Sequence, residues 1–301
     1  MPDVVAKVAL IQPYKHSPAT NVWNRSAPPA PLVLIHDGGG TTFCYHFLGY
    51  LGRPVYGIDN PHYDSGKAWE GGIPEMAREY LKAIKGVISS GDFIIGGWSF
   101  GGLISLELAR QLQEENTKAP KWFKKLRLIG IIMIDTVCPL VQTASLLPVV
   151  DHSMEWSKHT RQETKDRIMR CFAEAMRMVS KWELPVWTPS NDSGNSLHEV
   201  EGGLRNPPPI ILLRAQDYVP VAQEGISRID IHRRDSLLGW GMYHEDIITK
   251  AIDIPGHHFS IFSAGNLSTT TEAIKAALCE LELICSSLLS KNGLQGSVQK
   301  E

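Results

Sequence analysis

The chain has 301 residues, 43% of them hydrophobic, enough for one large α/β core. Its 30 Lys and Arg stand against 32 Asp and Glu, so no basic footprint for nucleic acid or an anionic membrane exists. Five scattered cysteines (Cys44, Cys138, Cys171, Cys279, Cys285) show neither metal-ligand nor disulfide spacing, residues 1–17 lack the apolar core of a secretory signal, and no apolar run approaches the ~20 residues of a membrane helix. The expectation is a cytoplasmic enzyme in which the sequon Asn266-Leu267-Ser268 goes unused.

In chain order, residues 5–12 read as a first strand, followed by a Pro/Ser/Asn loop to Pro31. Residues 32–35 form a buried strand that runs into Asp37-Gly38-Gly39-Gly40, and residues 54–58 form another, stopped by Asn60-Pro61. Ile73, Met76, Ala77, Tyr80, Leu81, Ile84 and Ile88 fall at helical spacing. Residues 93–96 are a short apolar strand, Gly97-Trp98-Ser99-Phe100-Gly101 follows, and residues 103–110 read as a helix. Further strands are expected at 128–134, 210–213 and 251–254, with a closing helix from about 271 to 289. Between Pro139 and Pro209 no strand pattern occurs. Ile168, Met169, Phe172, Ala175, Met176 and Val179 give a helix there, with Trp182, Trp187 and a polar loop at 190–196 beyond it. Such a Met- and aromatic-rich insertion, about residues 140–206, reads as a helical lid suited to an apolar, variable substrate. The alternation of strands and helices predicts an α/β-hydrolase fold: a mainly parallel sheet flanked by helices, within a single domain of residues 1–301.

Gly97-Trp98-Ser99-Phe100-Gly101 is a G-x-S-x-G nucleophile elbow in the strand–turn–helix setting that gives the motif its meaning. The turn forces the serine into a strained backbone conformation, and glycines are needed where a Cβ would clash. A serine hydroxyl needs a general base oriented by a third group, and in this fold the acid and then the histidine follow the serine. His258 lies just past the last strand, in Gly256-His257-His258-Phe259, the expected place for the base. His36, His46 and His62 precede the serine, His152, His159 and His198 fall in the insertion, and His232 and His244 lack the strand-end setting. Two carboxylates end strands on the same sheet edge, Asp135 and Asp217, and either serves as acid on this evidence alone. The oxyanion hole needs the N–H of Phe100 and one from the loop after an earlier strand: Gly38, or Asp37 or Gly39 if the loop register differs. That loop has neither G-x-G-x-x-G nor the Walker lysine, which argues against a nucleotide. The pattern asks for no metal or redox cofactor. It leaves open a carboxylesterase or lipase, and a silent hydrolase fold kept as a binding module.

Taken together, His36-Asp37-Gly38-Gly39-Gly40, Gly52-Arg53-Pro54-Val55-Tyr56-Gly57-Ile58, Gly71-Gly72-Ile73, Gly97-Trp98-Ser99-Phe100-Gly101-Gly102, Ile134-Asp135-Thr136-Val137-Cys138-Pro139, Leu238-Gly239-Trp240 and Gly256-His257-His258-Phe259-Ser260 resemble the thioesterase domains of fungal polyketide synthases. The resemblance runs from about residue 30 to the closing helix. It implies a serine that takes an acyl or polyketide chain from the phosphopantetheine thiol of an acyl carrier protein, with the acyl-enzyme resolved by water, an internal hydroxyl, a carbon nucleophile or another acceptor. It also implies Asp135 as the acid, from the Ile-Asp-Thr-Val-Cys-Pro context, and His258 rather than His257 as the base, because the base directly precedes Phe. Such domains usually end a very large synthase, so the chain resembles a discrete thioesterase acting in trans on a carrier protein.

Overall fold

The computed structural model describes residues 5–15, 28–120, 125–140, 148–150, 156–187, 206–222 and 224–298. The strands among them are β1 (Val8–Gln12), β2 (Leu32–Ile35), β3 (Val55–Ile58), β4 (Gly91–Trp98), β5 (Leu126–Ile134), β6 (Val149–Val150), β7 (Ile210–Ala215), β8 (Ile226–Ser227) and β9 (Lys250–Ile254). Seven of them form one sheet in the order β1-β3-β2-β4-β5-β7-β9, with β1 antiparallel to β3 and every other pair parallel. The helices are α1 (Gly72–Val87), α2 (Phe100–Lys118), α3 (Gln162–Val179), α4 (Trp240–Tyr243) and α5 (Leu267–Val298). This is the α/β-hydrolase fold.

Successive strand residues point to opposite faces, and here both faces are covered, which is why the central strands are apolar without alternation. Val33, Ile35, Ile95, Ile131, Met133 and Leu212 join a core built with α1 and α2. Their neighbours Leu32, Leu34, Ile94, Ile132, Ile134 and Leu213 join a second core with Ile274, Ala277, Leu278 and Leu281 of α5. Helix α1 buries Ile73, Met76, Ala77, Tyr80, Leu81 and Ile84, the stripe expected from the sequence. Helix α2 is buried along its whole first half, Phe100 to Ala109, and so lies deep against the sheet.

Two elements depart from the sequence reading. The insertion does contain a strand: Val149–Val150 pairs in parallel with Ile226–Ser227. Two residues are too few to show a period, so only the fold reveals them. The closing helix is longer than expected at both ends, Leu267–Val298. Of the insertion, residues 141–147, 151–155 and 188–205 lie outside the described residues, including His152, His198 and the polar loop at 190–196. All five cysteines are free thiols, and no described helix is long and apolar enough to cross a membrane.

The elbow glycines are demanded by close approach. A Cβ on Gly97 would lie 2.7 Å from the Gly101 carbonyl carbon and 2.9 Å from the Ile35 oxygen, and one on Gly101 would lie 2.6 Å from the Ile35 oxygen and 2.7 Å from that of His36. Backbone atoms cannot move aside as a side chain can, so Gly101→Ala must push α2 away from β2. Overpacking of this kind costs about 1–3 kcal/mol. Urea unfolding of Gly101→Ala is expected to show a loss of that size with an unchanged m-value.

Candidate active site

Ser99 sits between β4 and α2 at φ 55° and ψ −116°, a positive-φ conformation that only a fixed frame sustains in a non-glycine residue. That frame is visible on both sides. The Trp98 N–H donates to the Tyr45 hydroxyl at 2.8 Å, and that hydroxyl donates to the Ile35 carbonyl at 2.9 Å. The Ser99 N–H donates to the Ile134 carbonyl at 2.9 Å, and the Thr136 hydroxyl donates to the Ser99 carbonyl at 3.0 Å. The elbow is therefore tied to β2 and β5. The Phe100 N–H opens α2, where no preceding helical carbonyl can accept it.

At the end of β5, Asp135 also has positive φ, 45°. Its own N–H donates to Leu213 of β7 at 2.7 Å, which continues the sheet ladder while the carboxylate turns inward. No part of the side chain is exposed. The structure brings Asp135 to His258: Nδ1–H of the imidazole donates to Asp135 Oδ2 at 2.8 Å. A carboxylate only accepts, so Nδ1 carries the hydrogen and the lone pair of neutral His258 is on Nε2. The His258 ring packs on Trp98, the residue before Ser99, at 5.3 Å between centroids.

The loop that carries His258 is braced by its neighbours. Gly256 has φ 88°, and its carbonyl accepts from the Asp217 N–H at 2.9 Å. The Ser260 hydroxyl accepts from the His257 N–H at 2.9 Å, and the Asn266 amide donates to the Ser260 carbonyl at 3.0 Å. Asn266, the sequon asparagine, is thus spent inside the loop. Asp217 holds the loop through its backbone, and its residue is exposed.

Sequence reasoning missed Arg233. Its guanidinium grips Asp135 with both ends, Nη1 to Oδ1 at 2.6 Å and Nη2 to Oδ2 at 2.8 Å, while the Ala215 N–H donates to Oδ1 at 2.8 Å. Burial alone would raise the Asp135 carboxyl, but the hydrogen bonds and charges of His258 and Arg233 outweigh it and hold the group down at about 2. No local pattern marks Arg233. The only available signal was that a buried carboxylate needs a cation.

The loop after β2 has a second use for its glycines. A Cβ on Gly38 would meet the Phe172 ring at 2.8 Å, and one on Gly40 would meet Cys171 Sγ at 2.9 Å, so α3 lies directly over this loop. Among the candidate donors, Gly39 N–H donates to the Asp37 carboxylate at 3.0 Å. That bond sets Gly39 apart from Gly38 and Asp37, the other two candidates. Below the loop, burial lowers His36 to about 4. Its Nδ1–H donates to the Asp37 carbonyl at 2.6 Å and its Nε2 meets the Tyr80 hydroxyl at 2.7 Å, so His36 is a neutral brace of the loop. Among the described residues no cluster of His, Cys, Asp or Glu could hold a metal ion.

The acid side of the stability curve carries a signature of Asp135. Its carboxyl sits at about 2 folded against 3.8 ordinarily, so its contribution is full above about pH 3.8 and is lost as pH falls through about 2. The shift corresponds to about 2 kcal/mol. Denaturant unfolding of the protein and of Asp135→Asn at several pH values is expected to show their stability difference shrinking by that amount between about pH 4 and about pH 2.

Comparison with known proteins fits this geometry. A family profile described as "Thioesterase domain" matches residues 30–148, which include the loop after β2, the elbow and Asp135. Thioesterase AMT4 of Alternaria alternata is 32% identical over 292 residues, covering 93% of this chain and 94% of that protein. Thioesterase frbE of Dothideomycetidae sp. (strain 11243) is 35% identical over 256 residues, covering 84% and 91%. Among solved structures, the NocB thioesterase domain in covalent complex with a fluorophosphonate nocardicin G analog superposes with a TM-score of 0.56 at 18% identity, over 83% of this chain and 94% of that one, a likeness of fold. With relatives this similar along nearly their full length, and with a strained serine, a buried Asp–His pair and a hydrolase sheet in place, the chain belongs to the thioesterase family.

Proposed function

We propose that the protein is a serine thioesterase that takes a polyketide or acyl chain from an acyl carrier protein and releases it by hydrolysis or cyclisation in secondary-metabolite biosynthesis. The observation that carries this reading is the buried Asp135–His258 hydrogen bond, with the His258 ring packed against the residue before Ser99. In this mechanism the Ser99 hydroxyl attacks the thioester carbonyl while His258 Nε2 takes its proton. Asp135 holds the imidazole in the tautomer that makes this possible and stabilises the imidazolium that forms. The N–H groups of Gly38 and Phe100 receive the developing oxyanion. Collapse of the tetrahedral intermediate expels the phosphopantetheine thiol, which takes the proton back from His258 and leaves an acyl-Ser99 ester. His258 then deprotonates water or a hydroxyl of the chain itself, which attacks the ester and frees Ser99. The phosphopantetheine belongs to the partner carrier, and the chemistry uses no metal, no redox cofactor, no nucleic acid and no membrane in a cytoplasmic setting. Helix α3, over the loop after β2, acts as part of a lid for an apolar chain.

Two experiments test this reading. Single-turnover acylation by Asp135→Asn is expected to fall by about 10⁴-fold, with Asp217→Asn near the unmodified rate. A crippled Asp217→Asn beside an active Asp135→Asn would move the acid to the later strand. Turnover of an acyl group on a carrier protein is expected to exceed that of the same acyl on a short free thiol. Equal efficiency, or a preference for simple aryl esters, would argue for a general thioesterase or a carboxylesterase instead.

A further inference from the structure

Behind the Asp135–His258 pair lies a charged group that triad chemistry does not require. Arg233 and Asp135 are both fully enclosed, with side chains 1% and 0% exposed. Arg233 is itself held from behind: its Nε donates to Asp230 Oδ1 at 2.9 Å and its Nη1 also reaches the Ala215 carbonyl at 2.9 Å. Asp230 in turn accepts the Val219 N–H at 2.7 Å on its other oxygen, and its side chain is 0% exposed. Three ionisable groups thus stand in a row, Asp230, Arg233 and Asp135, ending at the imidazole. The segment that supplies Arg233 also grips the rest of the acid loop, through Leu238 O to the Cys138 N–H at 3.0 Å and Trp240 Nε1–H to Thr136 O at 2.8 Å.

We infer that Arg233 and Asp230 are positioning residues that set the orientation and the effective charge of Asp135, and through it the pH range in which His258 acts as base. This deepens the proposed serine mechanism and rests on it. Each Asp135 oxygen receives one arm of the Arg233 fork, which fixes the carboxylate plane and leaves Oδ2 aimed at His258 Nδ1. Burying a lone carboxylate beside a neutral imidazole is costly, and Arg233 removes that cost. An Arg–Asp pair alone, however, presents no net charge to the imidazolium that forms when Ser99 is deprotonated. Asp230 restores a net charge of about −1 to the row, by the rule that buried charges act on each other in a low-dielectric interior. Among the described residues, His258 from the loop after β9 and Arg214 of β7 also face Asp135, and Arg214 is itself bonded to Asp253 of β9 at 2.7 Å.

Opposite substitutions should therefore act in opposite directions. The probe is the rate of Ser99 labelling by a fluorophosphonate across pH, with the labelled peptide identified by mass spectrometry and folding checked by circular dichroism. Arg233→Met leaves two uncompensated carboxylates, favours the imidazolium, and is expected to move the acid limb upward by about one pH unit. Asp230→Asn leaves the row neutral and is expected to move the limb downward by a similar amount. Arg233→Lys keeps the charge but loses the fork. It is expected to label about tenfold more slowly with the limb in place, and it carries the test with Asp230→Asn if Arg233→Met does not fold. Unmoved limbs, shifts of the same sign in both charge variants, or a lysine variant equal to the native protein would overturn the inference. Absence of labelling at Ser99 in the native protein would instead defeat the serine mechanism itself, before Arg233 is in question.

Discussion

A carboxylate with no solvent contact is tenable at Asp135 because four donors converge on its two oxygens: two arms of Arg233, the Ala215 N–H and the His258 ring. The donors come from three separate parts of the chain, so the sheet must be complete before the set exists. Strand β5 delivers Asp135, the end of β7 supplies Ala215, the segment after β8 supplies Arg233, and the turn after β9 supplies His258. Remove the convergence and burial would push the Asp135 carboxyl up or turn it toward solvent. The elbow depends on the same assembly, since Ser99 hangs between the Ile134 carbonyl and the Thr136 hydroxyl on either side of Asp135. Strain at Ser99 and at Asp135 is sustained by these bonds and by the packing of α2 against β2, where glycine alone fits.

What could be read from the sequence follows from how local each feature is. The elbow was legible because strand, turn and helix occupy about twenty consecutive residues and each has its own period. The strands of the main sheet and helix α1 were legible in a similar way: apolar runs, buried on both faces at the centre of the sheet, and a stripe buried on one side of the helix. Asp135 and Asp217 were indistinguishable by strand position. Only the fold shows that the first turns into the core toward His258, while the second contributes its N–H to the Gly256 carbonyl. Arg233 was illegible because its segment also carries Arg228 and Arg234, and nothing in the spacing says which one is buried. The Val149–Val150 strand was too short for a period to register.

The loop after β2 shows how one motif serves two demands. Its glycines read as room for a tetrahedral intermediate, and the fold shows them also making room for Phe172 and Cys171 of α3. Beneath it, the neutral His36 and the Tyr80 hydroxyl anchor the loop to α1. A loop held from below by a buried hydrogen-bond pair and from above by a helix of the insertion couples the proposed oxyanion donor to the proposed lid. Changes in α3 would then be felt in the chemistry as well as in substrate fit.

In the proposed mechanism, acyl transfer passes through Ser99 with Asp135 and His258 behind it. Its most direct measurement is intact-mass analysis of the protein mixed with an acyl carrier protein bearing a candidate chain, followed by peptide mapping. The carrier is expected to lose the acyl mass, the protein to gain it transiently, and the modified peptide to contain Ser99. A carrier deacylated at the same rate by Ser99→Ala, with no acyl mass ever on the Ser99 peptide of the native protein, would contradict it.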